Sequence, residues 1–207
     1  MKKYDALIFD LDGTLWDATN GITYAWNQIF QQNNISLQLS LSDIQNVMGY
    51  TVKEIAQKFF PKDSIIGEEI ITKCCRLQLS YLNKENVFLY PQLKQTIKIL
   101  SQKYKLCIVS NCLKGYIEKF LEIANLKDYF VDFENAENTK LTKKDNILLV
   151  KQRNHFKNVI YIGDTIKDYQ AAKGANVDFI QALYGFDQII KNVDGIKNIN
   201  ELTYYFK

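Results

Sequence analysis

The chain has 207 residues, 47% of them hydrophobic and 24% charged, with a formal net charge of +3. No apolar run approaches the roughly 18 residues a membrane-spanning helix needs. The short stretch after Met1-Lys2-Lys3-Tyr4-Asp5 is interrupted by Asp10 and is too short for a signal peptide, so no membrane partner is expected; the small net charge gives no reason to expect nucleic acid. The four cysteines show neither a CxxC motif nor a Cys/His ligand spacing. That argues against zinc, agrees with a reducing compartment and makes the cytoplasm the expected location.

In chain order, Tyr4 to Phe9 is a compact apolar run ending in polar residues, as a buried parallel strand does. From about Leu15 to Phe88 no strong strand pattern appears and the periodicity is helical. Ile22, Ala25, Trp26, Ile29 and Phe30 form one stripe, Thr51-Val52-Lys53-Glu54 resembles a capping box, and Ile70 to Leu82 reads as a further helix. Tyr90-Pro91 marks the return from this insertion, because the residue before proline disfavours helix. Leu93, Ile97 and Leu100 then fall on one helical face, followed by the strand run Leu106 to Val109. Leu113, Ile117, Phe120, Leu121 and Ala124 make another helical face; Val159 to Ile162 and, more weakly, Val177 to Ile180 are the remaining strand runs. Strands alternating with helices of this length predict an α/β fold, a parallel sheet with helices on both faces.

Ligands of such sheets gather at the carboxyl ends of the strands, and three predicted strand ends here are polar: Asp10-Leu11-Asp12-Gly13-Thr14, Ser110-Asn111, and Gly163-Asp164-Thr165 with Asp168. A basic segment, Lys140 to Lys144, lies between the second and third. Phosphoryl transfer calls for this assortment. A carboxylate can attack phosphorus, a second carboxyl group can protonate the leaving oxygen and then activate water, and cations must offset the phosphate charge. Asp10 and Asp12, two residues apart, suit the two carboxylate roles, with Gly13 allowing a sharp turn. Asp164 could supply a further magnesium ligand, with Asp168 supporting it. Ser110 and Asn111, read as lying just before a helix start, would point donors at an anion. A calcium loop of the EF-hand type is disfavoured, since the positions that should hold glycine and glutamate hold Leu15 and Gly21.

These four motifs, in this order, resemble those of the haloacid dehalogenase superfamily, particularly its phosphoglycolate-phosphatase-like branch, over Tyr4 to about Phe186. The resemblance implies a Rossmann-like core carrying a mobile helical cap, which here would divide the chain into residues 1–14 and 90–207 as core and 15–89 as cap. It implies Asp10 as nucleophile and Mg2+ ligand, Asp12 as general acid/base with its main-chain carbonyl on the metal, Asp164 as the third protein ligand, and Ser110 with Asn111 on the phosphate. Many relatives carry Gly-Lys-Pro at the lysine motif, whereas this chain reads Thr139-Lys140-Leu141-Thr142-Lys143-Lys144. Thr142 as a helix cap would place Lys143 at the first turn beside the site. Lys143 is therefore the expected phosphate-binding cation, with Lys140 and Lys144 as alternatives.

The expected activity is magnesium-dependent hydrolysis of a small phosphorylated metabolite through an aspartyl-phosphate. The alternatives are a sugar phosphomutase, which uses the same aspartates, and a non-catalytic phosphate-binding regulator. A dehalogenase is disfavoured by Asp12, which such enzymes lack. His155 reads as a solvated histidine near a helix end and Cys107 as a small core hydrophobe. Cys112 reads as a spectator thiol close to the site, and Lys53 as a surface lysine.

Overall fold

The computed structural model describes residues 3–206. The chain runs β1 (Ala6–Phe9), β2 (Trp16–Asp17), α1 (Thr19–Gln32), α2 (Leu41–Gln45), α3 (Val52–Phe59), α4 (Ser64–Tyr81), β3 (Phe88–Leu89), α5 (Leu93–Ser101), β4 (Lys105–Ser110), α6 (Tyr116–Ala124), β5 (Phe130–Asn135), α7 (Ala136–Thr139), α8 (Lys143–Arg153), β6 (Val159–Gly163), α9 (Ile166–Gly174), β7 (Asp178–Ala182), β8 (Gly195–Ile196) and α10 (Leu202–Tyr205). Six of the strands form one parallel sheet of order β5-β4-β1-β6-β7-β8, as the alternating pattern predicts.

β1 is central because all four of its residues are apolar and fully buried. Its alternation feeds two cores, one on each face of the sheet. Leu7 and Phe9 join Leu106, Ile108, Ile160 and Ile162 on the face covered by α5 and α6. Ala6 and Ile8 join Cys107, Val109, Val159 and Tyr161 on the face covered by α8 and α9. The chain leaves β1 toward β4 and β5, then crosses to β6 on the other side, so the strand order reverses at β1. A crevice opens at such a point, outside the carboxyl ends of the strands. Phe9 pairs with both Ile108 and Ile162, so Asp10, Ser110 and Asp164 emerge at nearly the same level.

Between β2 and β3 lie the four helices of the insertion. The predicted stripe on α1 is buried throughout. Thr51 and Glu54 form the predicted capping box, with the Thr51 N–H donating to Glu54 at 2.7 Å and the Glu54 N–H to Thr51 Oγ1 at 3.4 Å. β2 and β3 pair antiparallel, Trp16 with Leu89 and Asp17 with Phe88, and clamp the two ends of the insertion together. These two-residue strands fall outside the all-helical pattern of that stretch, being too short to show a period.

Two expectations need correction. β5 has no counterpart in the sequence reading, because Asp132, Glu134 and Asn135 interrupt its apolar pattern; it is an edge strand, where charge is tolerated. Arg153 at the end of α8 holds it, donating to Asp132 at 2.6 and 2.7 Å and to Glu134 at 2.7 Å. Ser110 and Asn111 do not adjoin a helix start. The Glu118 carboxylate accepts the Gly115 N–H at 3.1 Å and fixes the start of α6 at Tyr116, which leaves an intervening turn and moves Leu113 off the helix. Cys107 is buried as expected and all four cysteines are free. His155 is exposed, and its backbone N–H donates to the Gln152 carbonyl.

Candidate active site

The carboxyl ends of β1 and β6 and the first turn of α8 bring Asp10, Lys143, Asp164 and Asp168 together. Thr142 caps α8 by accepting the Asp145 N–H at 3.2 Å, and that start aims Lys143 into the crevice. Its ammonium donates to Asp10 Oδ1 at 2.9 Å and to Asp168 Oδ1 at 2.6 Å, with all three side chains 4% exposed or less. Lys140 instead terminates α7 in a left-handed conformation, and Lys144 pairs with Asp145 on the outer side of the helix. Burial would lower the Lys143 ammonium, but Asp10 and Asp168 overcome it and hold the group well above its ordinary value. Burial pushes the Asp10 carboxyl up to about 6 and the Asp168 charge adds to the rise, while Lys143 opposes both.

Asp168 has two duties. Its Oδ2 accepts the Thr165 N–H and hydroxyl at 3.0 and 2.6 Å, closing a capping box at the start of α9. Its Oδ1 remains for Lys143. A helix cap and a site partner are thus the same residue.

Asp12 points elsewhere. Its Oδ1 accepts the Tyr116 hydroxyl at 2.7 Å, and the Tyr116 ring packs edge-on against Trp16. Burial pushes the Asp12 carboxyl up to about 7 against that hydrogen bond, with Asp10 and Asp17 adding to the rise. A carboxyl group poised near neutrality can give up a proton and take one back. Nothing in the sequence reading singled out Tyr116, because a tyrosine on the apolar stripe of a helix looks like core. Ser110 is buried at the end of β4. The Asn111 amide donates to the Gly49 carbonyl of the insertion at 2.9 Å, so one expected phosphate contact also ties the two halves of the crevice.

Asp10, Asp164 and Asp168 each offer a carboxylate oxygen, all within 4.8 Å of one another. Burial pushes the Asp164 carboxyl well up, the charges of Asp168 and Asp10 adding to it and the Phe186 N–H, donating to Oδ2 at 2.8 Å, opposing. Three buried carboxylates facing a single lysine are a hard, oxygen-only donor set short of positive charge, which suits Mg2+. Two glycines leave the room. A Cβ on Gly13, whose φ is +77°, would meet Asp164 Oδ2 at 2.2 Å, and one on Gly185 would meet Asp164 Cβ at 2.1 Å. Gly13 therefore supplies space for Asp164 as well as the turn expected of it. Asp12 contributes no side-chain oxygen to this group; Asp168, expected only in support, does.

A cavity of about 70 Å³ adjoins Asp12, Ser110 and Asn111 and is bordered by α1, α3, α4 and the Val47–Tyr50 turn. Cys112 lines it too, its thiol pushed up by burial, in keeping with a spectator. Lys53 is exposed on α3 and does not line it. A larger cavity, of about 970 Å³, is bordered by Tyr4, Tyr104 and Asp178 and contains none of these residues. No helix among the described residues is long and apolar enough to cross a membrane.

The sequence model of the haloacid dehalogenase-like hydrolases matches residues 7–182. Curated relatives include the phosphoglycolate phosphatase of Aquifex aeolicus, 28% identical over 190 residues that cover 87% of this chain and 85% of the relative. That of Aliivibrio fischeri is 27% identical over 192 residues, covering 87% and 85%. Among solved structures, a haloacid dehalogenase-like hydrolase from Streptococcus pneumoniae superposes with a TM-score of 0.78 at 23% identity, covering 98% of each chain. A subfamily IA hydrolase of the same superfamily from Geobacter sulfurreducens gives 0.73 at 16%, covering 98% of this chain and 96% of that one.

Proposed function

We propose that this chain, which belongs to the haloacid dehalogenase-like hydrolase family and is a phosphatase, hydrolyses a small phosphomonoester through a covalent phosphoryl-Asp10 with Mg2+ as cofactor. The observation that carries the reading is the division of labour between two aspartates two residues apart. Asp10 is held beside a buried ammonium and two further carboxylates, while Asp12 is turned away from them and hydrogen-bonded to Tyr116.

Asp10 attacks phosphorus and the ester oxygen departs, taking its proton from Asp12. Asp12, now ionised, accepts a proton from the water that attacks the phosphoryl group and frees Asp10. Lys143 keeps Asp10 ionised for attack and neutralises charge gathering on the phosphoryl oxygens. Ser110 and Asn111 orient those oxygens from the end of β4. Asp10, Asp164 and the Asp12 main-chain carbonyl would hold Mg2+, with Asp168 adjacent, and the ion would supply charge neutralisation. In this reading residues 1–14 and 90–207 are the catalytic core, and residues 15–89 are a cap that excludes bulk water from the reacting centre.

A phosphate-release assay with magnesium present tests the proposal over a panel of small phosphomonoesters with charged and uncharged leaving groups, among them 2-phosphoglycolate, the ester for which the curated relatives are named. Release by the wild type and none by Asp10→Asn supports it. Release by Asp10→Asn at the wild-type rate contradicts it.

A further inference from the structure

The leaving group of the ester must lie on the Asp12 side of the phosphate, since Asp12 protonates it. The space there is the cavity of about 70 Å³, which at about 10–15 Å³ for each water takes roughly five to seven atoms of that size. That is less than a hexose needs but enough for a group of about five heavy atoms. Glycolate, the leaving group of phosphoglycolate, passes on size.

It does not pass on charge. Among the described residues, no lysine, arginine or histidine lines the cavity. Its wall is Ile22, Trp26, Met48, Val52, Ile55 and Leu113, and the one ionisable carboxyl group facing it is Asp12, of the same sign as a carboxylate ligand. The nearby cations are committed elsewhere. Lys143 is paired with Asp10 and Asp168. Lys167 is paired with Glu54 and lies 3.6 Å from the centre of the Tyr50 ring, and Lys58 donates to the Asn46 carbonyl. Lys58 and Lys167 border a separate groove of about 470 Å³, divided from the cavity by Met48 and Tyr50, which line both. The polar atoms that remain suit a neutral ligand. Gln78 accepts the Trp26 indole N–H at 2.6 Å, which leaves its amide as a donor on the wall, and Asn111 keeps its carbonyl oxygen as an acceptor after donating to Gly49.

A carboxylate moved from water into such a space loses part of its hydration and gains no counter-charge, whereas a hydroxyl, ether or amide of the same size loses far less. We infer that the substrate of this enzyme is the phosphate ester of a compact, uncharged alcohol, and that esters whose leaving group carries a carboxylate, phosphoglycolate included, are disfavoured. The inference rests on the phosphatase reading and narrows it to a substrate class.

The test compares 2-phosphoglycolate with its primary amide, which has the same number of heavy atoms and no charge on the leaving group. Both are assayed by phosphate release from the full chain with magnesium, alongside propyl phosphate. The expected result is a kcat/KM for the amide and for propyl phosphate on the order of a hundredfold above that for phosphoglycolate. A second arm uses Val52→Lys, which places an ammonium at the half-buried start of α3 and should narrow the gap between acid and amide about tenfold. Phosphoglycolate turned over as well as its amide would overturn the inference while leaving the phosphatase reading intact. An unchanged gap in Val52→Lys would overturn its electrostatic basis. No phosphate from any of the three esters would overturn the phosphatase reading, and the inference with it.

Discussion

At the carboxyl end of the sheet, four ionisable side chains lie in mutual contact range, and each is held by a specific partner. Lys143 bridges Asp10 and Asp168, the Phe186 N–H holds Asp164, and the start of α9 fixes Asp168. The cavity wall beside Asp12, contributed by α1, α3, α4 and the turn before α3, is mostly aliphatic and aromatic and carries the hydrogen bond from Trp26 to Gln78. The first region is costly to assemble, because it gathers buried charge that must be offset by close partners. The second assembles mainly by apolar burial. Chemistry needs the first kind of surface, and choice of leaving group can be made by the second, through what the wall leaves unpaired.

Substitutions at the two surfaces should therefore differ in kind. The largest effect is expected from Asp10→Asn, which removes the proposed nucleophile and should lower kcat on the order of 10⁴-fold or more while the protein remains folded, read by phosphate release and far-UV circular dichroism. Chelation of divalent cations should abolish activity reversibly. Asp164→Asn should raise the magnesium concentration needed for half-maximal rate and remove the rise in Tm that magnesium gives the wild type; an unchanged magnesium requirement would detach Asp164 from the metal. Lys143→Ala leaves Asp10 and Asp168 buried without their shared cation. It should cost about 3 kcal/mol in denaturant unfolding as well as activity, an effect that no single substitution of an apolar wall residue to another of similar size should match.

Smaller effects sharpen the boundary between the surfaces. Tyr116→Phe deletes the hydrogen bond to Asp12, and since a bond to a charged group contributes about 1.5–3 kcal/mol, kcat should fall about tenfold or more in steady-state assays with KM nearly unchanged. A change confined to KM would make Tyr116 a wall residue. Smallest is Lys167→Met, which breaks the half-exposed pair to Glu54 between α9 and α3. It should change stability by less than about 1 kcal/mol, measured as a small shift in Tm.

The same contrast explains what could be read from the sequence. Asp10-Leu11-Asp12-Gly13-Thr14 is contiguous and its chemistry is local, so the pair was legible, as was Asp164 at the next polar strand end. Lys143 was legible through Thr142, because helix capping fixes which lysine of the basic segment turns inward. Asp168 read as a supporting carboxylate, and the structure makes it part of the cap of α9 as well. Tyr116 was hidden, since its value depends on a hydrogen bond to a residue 104 positions away. β5 was hidden because an edge strand held by Arg153 does not need an apolar alternation. The cavity's lack of cations was equally unreadable: its lining is drawn from separated segments, and lysines adjacent in sequence, such as Lys53 beside Val52, point outward.

The central claim is that Asp10 carries the phosphoryl group during turnover, and it can be observed directly. Borohydride added to the enzyme while it hydrolyses an ester reduces an acyl phosphate to an alcohol, a defined mass loss in the peptide that contains the modified carboxyl group. The account predicts that loss at Asp10, dependent on substrate and magnesium and missing from Asp10→Asn. Modification at Asp12 or Asp164 instead, or turnover with Asp10 unmodified throughout, would contradict it.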